Sequence, residues 1–250
     1  MGQPSVSQSV KKAGSVIAID GPAGTGKSSV TKRLAERLGF IHVDTGALYR
    51  TIALLLTEKL GPHSDWAKKV DFDRLATLAE ETAQSVQFEF RRMQGLNPSN
   101  RVFANGRDVT PFIRTPEVSM AASQVSAIPG VRKALLDLQR ALGCKSSSIL
   151  EGRDIGTVIF PDADLKFFMS ASVEERAKRR LAELEAAGSD APSFEEIKKQ
   201  IADRDQADST RAIAPLRKAA DAVAVDTSRM TLDEVVDYME AIANQKLKLK

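Results

Sequence analysis

The chain has 250 residues, of which 42% are hydrophobic and 28% charged, a composition ordinary for a globular protein and unlike that of a disordered or collagen-like chain. Its 36 Lys and Arg against 33 Asp and Glu leave a net charge of +3, too small to indicate a polyanion-binding protein. The single cysteine, Cys144, excludes an intramolecular disulfide and a cysteine-rich zinc site. No apolar run approaches a membrane span and no signal peptide is recognisable, so we expect a soluble cytoplasmic protein.

Strands and helices are predicted to alternate along most of the chain. After a polar lead-in of residues 1–14, expected to be a flexible tail, Val16–Ile19 is an apolar run typical of a buried parallel strand. Apolar residues then recur every fourth position in Lys27–Leu38, as in an amphipathic helix. Further strands are predicted at about 40–43, 148–150, 165–169 and 222–225, and further helices at 47–60, from 115, and at 131–142, 172–187, 193–208 and 231–246. This order indicates an α/β fold in three layers around a parallel sheet, forming a single domain over residues 15–250.

The pattern changes between about 72 and 114. Val86, Phe88 and Phe90 alternate with polar residues, as strands with one buried face do. Asn105-Gly106 is typical of a tight hairpin turn, and residues 95–100 are rich in turn formers. We therefore expect a small antiparallel sheet inserted into the α/β core.

The segment after the first strand matches G-x-x-x-x-G-K-[ST] at every fixed position. It consists of Gly21, Pro22, Ala23, Gly24, Thr25, Gly26, Lys27 and Ser28. Its glycines let backbone N–H groups converge on phosphate oxygens, Lys27 supplies a charge to the β- and γ-phosphates, and Ser28 offers a hydroxyl to Mg²⁺. The alternative, a glycine-rich turn with a chance lysine, does not explain the strand before it and the helix after it. The loop therefore predicts a site for a nucleoside triphosphate with Mg²⁺, and leaves the acceptor open.

Two polar segments follow predicted strands, where ligands of parallel α/β sheets bind. The first, Asp44–Arg50, reads DTGALYR, and its alternative interpretation is a capped helix start. The second, Glu151–Thr157, places Arg153 and Asp154 between glycines. A guanidinium there can hold a phosphate and a carboxylate can accept from an amine, although a surface salt-bridged turn is the alternative.

A third segment, Arg204–Arg211, has the pattern R-D-x-x-D-x-x-R, whose helical spacing puts Arg204, Asp208 and Arg211 on one face. The alternative is a solvated helix face. Residues 174–218 hold ten basic and ten acidic residues, a balance that argues against nucleic-acid binding and suits a mobile lid over about 174–208.

Taken together, these motifs give the chain a family resemblance. It resembles the bacterial cytidylate kinases, a family of nucleoside monophosphate kinases, from about Val16 to Lys246. The segments that carry the resemblance are IDGPAGTGKS, DTGALYR, IRTPEVS, AASQVS, VRKALL, GRDIGTVIFPDA, SVEERAKRR, RDxxDxxR and AIAPL, in that order. GRDIGTVIFPDA with DTGALYR is much more specific than the phosphate loop. The insert at 72–114 would be the monophosphate-binding region.

The resemblance implies transfer of the ATP γ-phosphoryl group to CMP or dCMP, and it implies residue roles by position. Residues implied in CMP binding are Thr45, Arg50, Ser123, Arg132, Arg153, Asp154, Arg204, Asp208 and Arg211. Residues implied in ATP binding are the loop from Gly21 to Ser29 together with Arg176, Arg179 and Arg180. Lys27, Arg153 and Arg211 would be catalytic. In the loop Ser28 is followed by Ser29, where relatives often have a glycine, so which hydroxyl meets Mg²⁺ stays open.

Rival functions remain at this point. Another P-loop kinase could use UMP, AMP or a non-nucleotide acceptor such as shikimate. A nucleotide-dependent switch would need no acceptor, so the clamp of Arg50, Arg153 and Arg211 would be idle in it. We expect a monomer with small-molecule substrates, no membrane contact and no nucleic-acid partner.

Overall fold

Five parallel strands form the central sheet. The computed structural model describes residues 13–92, 100–186 and 192–249. In the order in which they lie side by side, the strands are β2 (Ile41–Asp44), β6 (Ser148–Gly152), β1 (Val16–Asp20), β7 (Leu165–Ser170) and β8 (Val223–Asp226). The central strand β1 is fully buried, with Val16 and Ala18 on one face and Ile17 and Ile19 on the other. Because both faces of β1 are covered, its residues Val16–Ile19 are apolar without alternation, as predicted.

Helices α1 (Lys27–Leu38) and α9 (Leu232–Leu247) cover one face of this sheet, and the end of α6 (Pro129–Cys144) covers the other. The other helices of the described residues are α2 (Gly46–Leu60), α3 (Trp66–Lys69), α4 (Phe72–Ser85), α5 (Pro116–Ser126), α7 (Val173–Ala186) and α8 (Phe194–Thr210). Helices α1 and α9 bury Leu34 and Met239 against one face. On the opposite face, Leu150 of the sheet packs with Cys144 from the end of α6 and with Phe160. The three-layer α/β fold predicted from the sequence is confirmed.

A second core lies beside the sheet, between α2, α4, α5 and α6 and a three-stranded antiparallel sheet. The strands of the small sheet are β3 (Phe88–Arg92), β4 (Asn100–Ala104) and β5 (Arg107–Asp108). Asn105 and Gly106 join β4 to β5 with φ angles of 50° and 79°, the left-handed conformation that this hairpin turn requires. The predicted antiparallel insert is therefore present.

The first part of that insert differs from the expectation. Residues 72–85 form the helix α4, whereas the sequence was interpreted as sheet throughout 72–114. Leu75, Ala79 and Ala83 recur every four residues and are buried, and the Asp71 side chain caps the helix by accepting from the Arg74 N–H at 2.8 Å. Helical periodicity and an aspartate cap were thus both present, and they outweigh the alternation that starts only at Val86.

Two predicted features lie partly outside the described residues: the tail over 1–14 and the turn-rich segment over 95–100. Of the tail, Ala13 and Gly14 are described. The Ala13 N–H donates to the Cys144 carbonyl at 3.0 Å, and Gly14 lies so close to Ser147 that a Cβ would fall 2.4 Å from its backbone nitrogen. These two residues are therefore attached to the loop that precedes β6.

The carboxyl ends of the five strands meet along one edge of the sheet. Asp20 of β1 is in register with Gly152 of β6, and Asp44 of β2 is in register with Glu151. On the other side of β1, Ser170 of β7 is in register with Asp226 of β8. Ligands of doubly wound sheets bind at this edge, so the functional site is expected there.

Candidate active site

The phosphate loop connects β1 to α1 at the centre of this edge. Gly21, Gly24 and Gly26 all have positive φ, at 149°, 78° and 84°. A Cβ at Gly21 would also fall 2.0 Å from the Met169 carbonyl oxygen of β7. Glycine is thus required for the backbone path that aims successive N–H groups at a bound anion.

Lys27 is buried at the start of α1 and its ammonium group folds back onto the loop. Its Nζ donates to the Pro22 carbonyl at 2.5 Å and to Thr25 Oγ1 at 3.3 Å. Burial holds the pKa of Lys27 well below its usual value, and the positive charge of Arg153 lowers it further. A negative charge beside Lys27 would offset both effects, so the ammonium is placed to favour an anionic ligand.

Asp20 joins the phosphate loop to the turn that carries Arg153 and Asp154. Its carboxylate accepts the N–H groups of Ile155 and Gly156 at 2.8 and 2.7 Å, at the start of a π-helical turn over Ile155–Ile159. Burial raises the pKa of Asp20 to about 6, although these two hydrogen bonds lower it. The buried carboxylate therefore fixes the positions of two segments that are 135 residues apart in sequence.

Glu151 is a functional candidate that the sequence analysis did not assign. It is buried at the end of β6, and its Oε2 accepts from Ser28 Oγ at 2.8 Å. Its Oε1 lies 2.9 Å from Nε2 of His42 on β2. The only sequence signal was an acidic residue at the end of the strand next to β1, and its contact with the loop spans 123 positions.

These contacts bear on where Mg²⁺ would be held. Ser28 and Glu151 present a hydroxyl and a carboxylate beside the loop, and Mg²⁺ takes oxygen ligands, usually one or two carboxylates plus substrate phosphates. Over residues 13–92, 100–186 and 192–249, no cluster of three or more His, Cys, Asp or Glu side chains could hold a metal ion. The residues fit a metal that is carried by a nucleotide, with Ser28 rather than Ser29 facing the carboxylate.

Eight charged side chains at the same edge form a connected group, here named the acceptor cluster. Its members are Asp44, Arg50, Arg132, Arg153, Asp154, Arg204, Asp208 and Arg211. They come from the end of β2, from α2 and α6, from the turn after β6 and from α8 with its C-terminal residue. Seven of the eight are residues that the resemblance implied in CMP binding. The fold thus brings together segments that lie up to 167 residues apart, from Asp44 to Arg211.

Ion pairs cross-link the acceptor cluster. Arg153 Nε donates to Asp208 Oδ2 at 2.9 Å, and Arg50 Nη2 donates to Asp44 Oδ2 at 2.7 Å. Asp154 is paired with Arg132, and Arg211 Nη2 lies 3.6 Å from the other oxygen of Asp154.

Five arginines against three aspartates leave an excess of two positive charges in the cluster. That is the charge complementary to a phosphate monoester dianion. Arg114, half exposed, lies on the rim and shares Asp44 with Arg50.

Several arginines of the cluster also keep unused donors. Arg50 Nε, Arg204 Nε and Arg211 Nη2 are buried without a hydrogen bond. Burial lowers the pKa of Arg204 to about 10, and the neighbouring charge of Arg153 adds to the effect. A buried donor without a partner costs about 1–3 kcal/mol, so these N–H groups would gain from an anion.

The two uncharged residues of the implied CMP set occupy different surroundings. Thr45 is buried, and its Oγ1 donates to the Glu151 carbonyl at 2.8 Å, which ties the start of α2 to the end of β6. Ser123 lies half-buried on α5. That helix reaches the cluster through Arg132, whose Nη1 donates to the Ser126 carbonyl at 3.2 Å.

The three arginines implied in ATP binding lie on α7 with different partners. Arg176 is buried and donates to the Ala23 carbonyl of the loop at 3.1 Å and to Asp205 of α8 at 2.6 Å. Arg179 donates to the Thr227 carbonyl at 2.6 Å, and the hydroxyl of Thr227 donates to the Thr25 carbonyl at 3.2 Å. Arg180 pairs with Glu183 on the exposed side of the helix. Arg176 therefore contacts the phosphate loop directly and Arg179 is linked to it through Thr227, whereas Arg180 pairs away from it.

Two cavities open at this edge of the sheet. One of about 510 Å³ lies past β7 and β8 and is lined by Ser172, Asp226, Ser228 and Arg229. The other, of about 340 Å³, lies between α1 and the small sheet, and its lining includes Ser28, His42 and Asp44.

None of the helices in the described parts of the chain is long and apolar enough to cross a membrane.

A parallel sheet with a phosphate loop at its central strand, and an arginine-rich cluster facing that loop, defines a P-loop nucleotide kinase. Comparison with known proteins then identifies the family. The family model described as cytidylate kinase matches residues 17–245. The chain belongs to the cytidylate kinase family, and the resemblance drawn from its motifs is confirmed.

Individual relatives match over nearly their whole length. The cytidylate kinase of Geobacter sulfurreducens is 48% identical over 234 residues, which are 93% of this chain and 94% of that protein. That of Citrifermentans bemidjiense is 47% identical over 238 residues, 95% and 96% of the two chains. That of Carboxydothermus hydrogenoformans is 43% identical over 230 residues, 92% and 97% of the two chains.

Proposed function

We propose that this protein transfers the γ-phosphoryl group of ATP to CMP or dCMP, giving ADP and CDP or dCDP. The observation that carries the proposal is the acceptor cluster, with its two excess positive charges and its unused buried N–H donors, beside a phosphate loop. The relatives named cytidylate kinase support the choice of acceptor. All residues of the proposed site come from one chain, so a monomer suffices.

The reaction needs little proton transfer. An oxygen of the acceptor phosphate bonds to the γ-phosphorus, the bond from that phosphorus to the β–γ bridging oxygen breaks, and ADP leaves with the electron pair. Because the attacking oxygen is already anionic, no strong general base is required. Lys27 and the arginines of the cluster align the two phosphates and offset their charge. Ser28 and Glu151 would hold Mg²⁺ together with the nucleotide, and the chemistry supplied there would be neutralisation of phosphate charge.

Asp154 and Arg132 are the proposed readers of the base. Cytosine presents an amino group at C4 and acceptors at N3 and O2, which suit a carboxylate and a guanidinium respectively. Asp154 is buried and already paired with Arg132, and its other carboxylate oxygen lies 3.6 Å from Arg211 Nη2. Uracil has a carbonyl at C4, which would meet the carboxylate unfavourably. Ser123 and Thr45 complete the base site, and Asp208 with Arg204 would hold the ribose.

The donor side follows the same edge of the sheet. The loop from Gly21 to Ser29 would bind the ATP phosphates, with Arg176 and Arg179 bracing it and Arg180 nearby on α7. The cavity past β7 and β8 is the space available to the donor nucleoside. Residues 174–208, which comprise most of α7 and α8, would act as a lid, and residues 72–114 as the monophosphate-binding region.

Binding of CMP in the absence of ATP is the direct test of this assignment. A ligand at 100 times its Kd stabilises a protein by about 2.7 kcal/mol, which corresponds to a rise in Tm of roughly 5–10 °C for a chain of this size. We expect this rise with CMP alone, a smaller one with UMP, and a loss of the CMP effect in Arg153→Ala. Lys178→Ala on the exposed face of α7 is the charge-matched control. A protein stabilised by ATP but by no monophosphate would be a nucleotide switch instead.

A further inference from the structure

His42 makes a contact that the proposed reaction leaves unexplained. Its Nε2 lies 2.9 Å from Oε1 of Glu151, while Ser28 Oγ bonds Oε2 of the same carboxylate at 2.8 Å. The His42 side chain is 12% exposed and that of Glu151 is 6% exposed. A single buried carboxylate is thus held through both oxygens by side chains from β2 and from α1.

The backbone places the imidazole for this contact. Strands β2 and β6 are parallel neighbours, with His42 opposite Ile149 and Asp44 opposite Glu151. His42 therefore lies two residues before the partner of Glu151, and its side chain reaches along the sheet to the carboxylate. Within residues 13–92, 100–186 and 192–249, β2 is an edge strand of the sheet, with β6 as its only strand neighbour.

The two contacts of Glu151 are not equivalent. Ser28 is itself a candidate ligand for a nucleotide-bound metal, so its hydroxyl has a second use. His42 bonds the other oxygen of Glu151. Its N–H can therefore hold the carboxylate in place even when the Ser28 hydroxyl turns to a metal ion. A glutamate side chain has three rotatable bonds, and a hydrogen bond to one oxygen restricts how the other is presented.

We infer that His42 is a positioning residue that orients Glu151 toward Ser28, so that the pair is prearranged for a metal ion bound with the nucleotide. This inference depends on the proposed function, since it assumes that Ser28 and Glu151 face Mg²⁺. Partners of ligating carboxylates typically contribute 10–100-fold in metal affinity. His42 would thus act on metal-linked nucleotide binding and leave the metal-independent contacts of the phosphate loop unchanged.

The test is the Kd of ADP, measured by titration calorimetry with Mg²⁺ and again with EDTA, without catalysis. His42→Asn and His42→Gln form a matched pair, because the longer amide can reach Glu151 and the shorter one cannot. The informative quantity is the Kd with EDTA divided by the Kd with Mg²⁺, which measures how much the metal strengthens ADP binding. We expect this ratio to fall at least about 10-fold in His42→Asn and to stay within about 3-fold of the parent in His42→Gln. The Kd in EDTA should be the same in all three proteins.

Two results would overturn the inference while leaving the proposed function intact. One is an unchanged ratio in His42→Asn. The other is an equal weakening of ADP binding with and without Mg²⁺, which would show that His42 supports the fold of the loop only. If His42→Asn does not fold, His42→Leu provides the same loss of donor. A parent protein whose ADP affinity does not respond to Mg²⁺ would instead refute the proposed metal site, and the inference with it.

Discussion

The phosphate loop and the acceptor cluster differ in how their anion-facing groups are built. The loop is eight consecutive residues, Gly21–Ser28, whose backbone provides the donors, and its lysine bonds to the loop itself. The cluster is eight charged side chains from five segments, each paired with another member or kept close to one. The loop is therefore locally determined, whereas the cluster exists only once the chain has folded.

This difference has a consequence for ligand binding. An incoming phosphate would bind to the loop by displacing the contacts that Lys27 makes with Pro22 and Thr25 of the same loop. In the cluster, a ligand has to exchange with ion pairs such as Arg153–Asp208 and Arg132–Asp154. Those pairs hold the arginines in place before the ligand arrives, and buried pairs of this kind are strongly affected when one partner is removed.

The largest effect is expected on the loop side, from Lys27→Ala. Removing a well-placed charge from a transition state typically lowers kcat about 10²–10³-fold. Since burial and Arg153 already disfavour the Lys27 ammonium in the unliganded protein, the variant should be no less stable than the parent. Steady-state kinetics and urea unfolding measure the two quantities. Near-normal turnover in Lys27→Ala would remove the loop from the mechanism.

Asp20 connects the two regions, and its titration is expected to be visible in stability. Its folded pKa of about 6 lies above the usual 3.8, so burial of the carboxylate costs free energy that is fully present above pH 6 and absent below about pH 4. At about 1.4 kcal/mol per pKa unit, the parent should gain about 2–3 kcal/mol relative to Asp20→Asn as the pH falls from 7 to 4.

Urea unfolding of both proteins across this pH range gives the difference directly, since other titrating groups contribute to both. If the difference in unfolding free energy between the two proteins does not vary with pH, the pKa of Asp20 is not raised in the folded protein.

In the acceptor cluster, Asp154→Asn should lower kcat/KM for CMP more than kcat/KM for UMP. Loss of a hydrogen bond to a charged group corresponds to about 1.5–3 kcal/mol, so the ratio of kcat/KM for CMP to that for UMP should fall about 10–100-fold. The ratio is the informative quantity, because the substitution also frees Arg132 and Arg211 and will slow both reactions. Equal losses with CMP and UMP would exclude Asp154 from base recognition.

The smallest effect is expected at the rim of the cluster. Arg114 is half exposed, and its pair with Asp44 at 3.0 Å is solvated, so it should contribute at most about 1 kcal/mol. Arg114→Ala should raise the KM for CMP by no more than about 5-fold, whereas Arg50→Ala, which removes the more buried partner of Asp44, should raise it further. A larger rise in the KM for CMP in Arg114→Ala than in Arg50→Ala would indicate that the acceptor phosphate binds nearer the rim.

What the sequence predicts follows the same division. The loop, the helix α1 and the Asn105-Gly106 turn were predicted because each depends on neighbouring residues. The helix α4 was missed because the alternation after Val86 was extended backward over residues with helical spacing. Glu151 and His42 were not assigned because their contacts span 123 and 109 positions. The members of the acceptor cluster were named through the resemblance, but their pairing could be seen only in the fold.

The central claim, phosphoryl transfer to a cytosine monophosphate, is tested most directly by product-resolved ADP release from Mg-ATP with CMP, dCMP, UMP, AMP, GMP or no acceptor. We predict fast turnover with CMP and dCMP that yields CDP and dCDP, slow turnover with UMP, and negligible turnover with the purine monophosphates. Absence of acceptor-dependent ADP release with every monophosphate would contradict the account, and the phosphate loop would then serve a different acceptor or a switch.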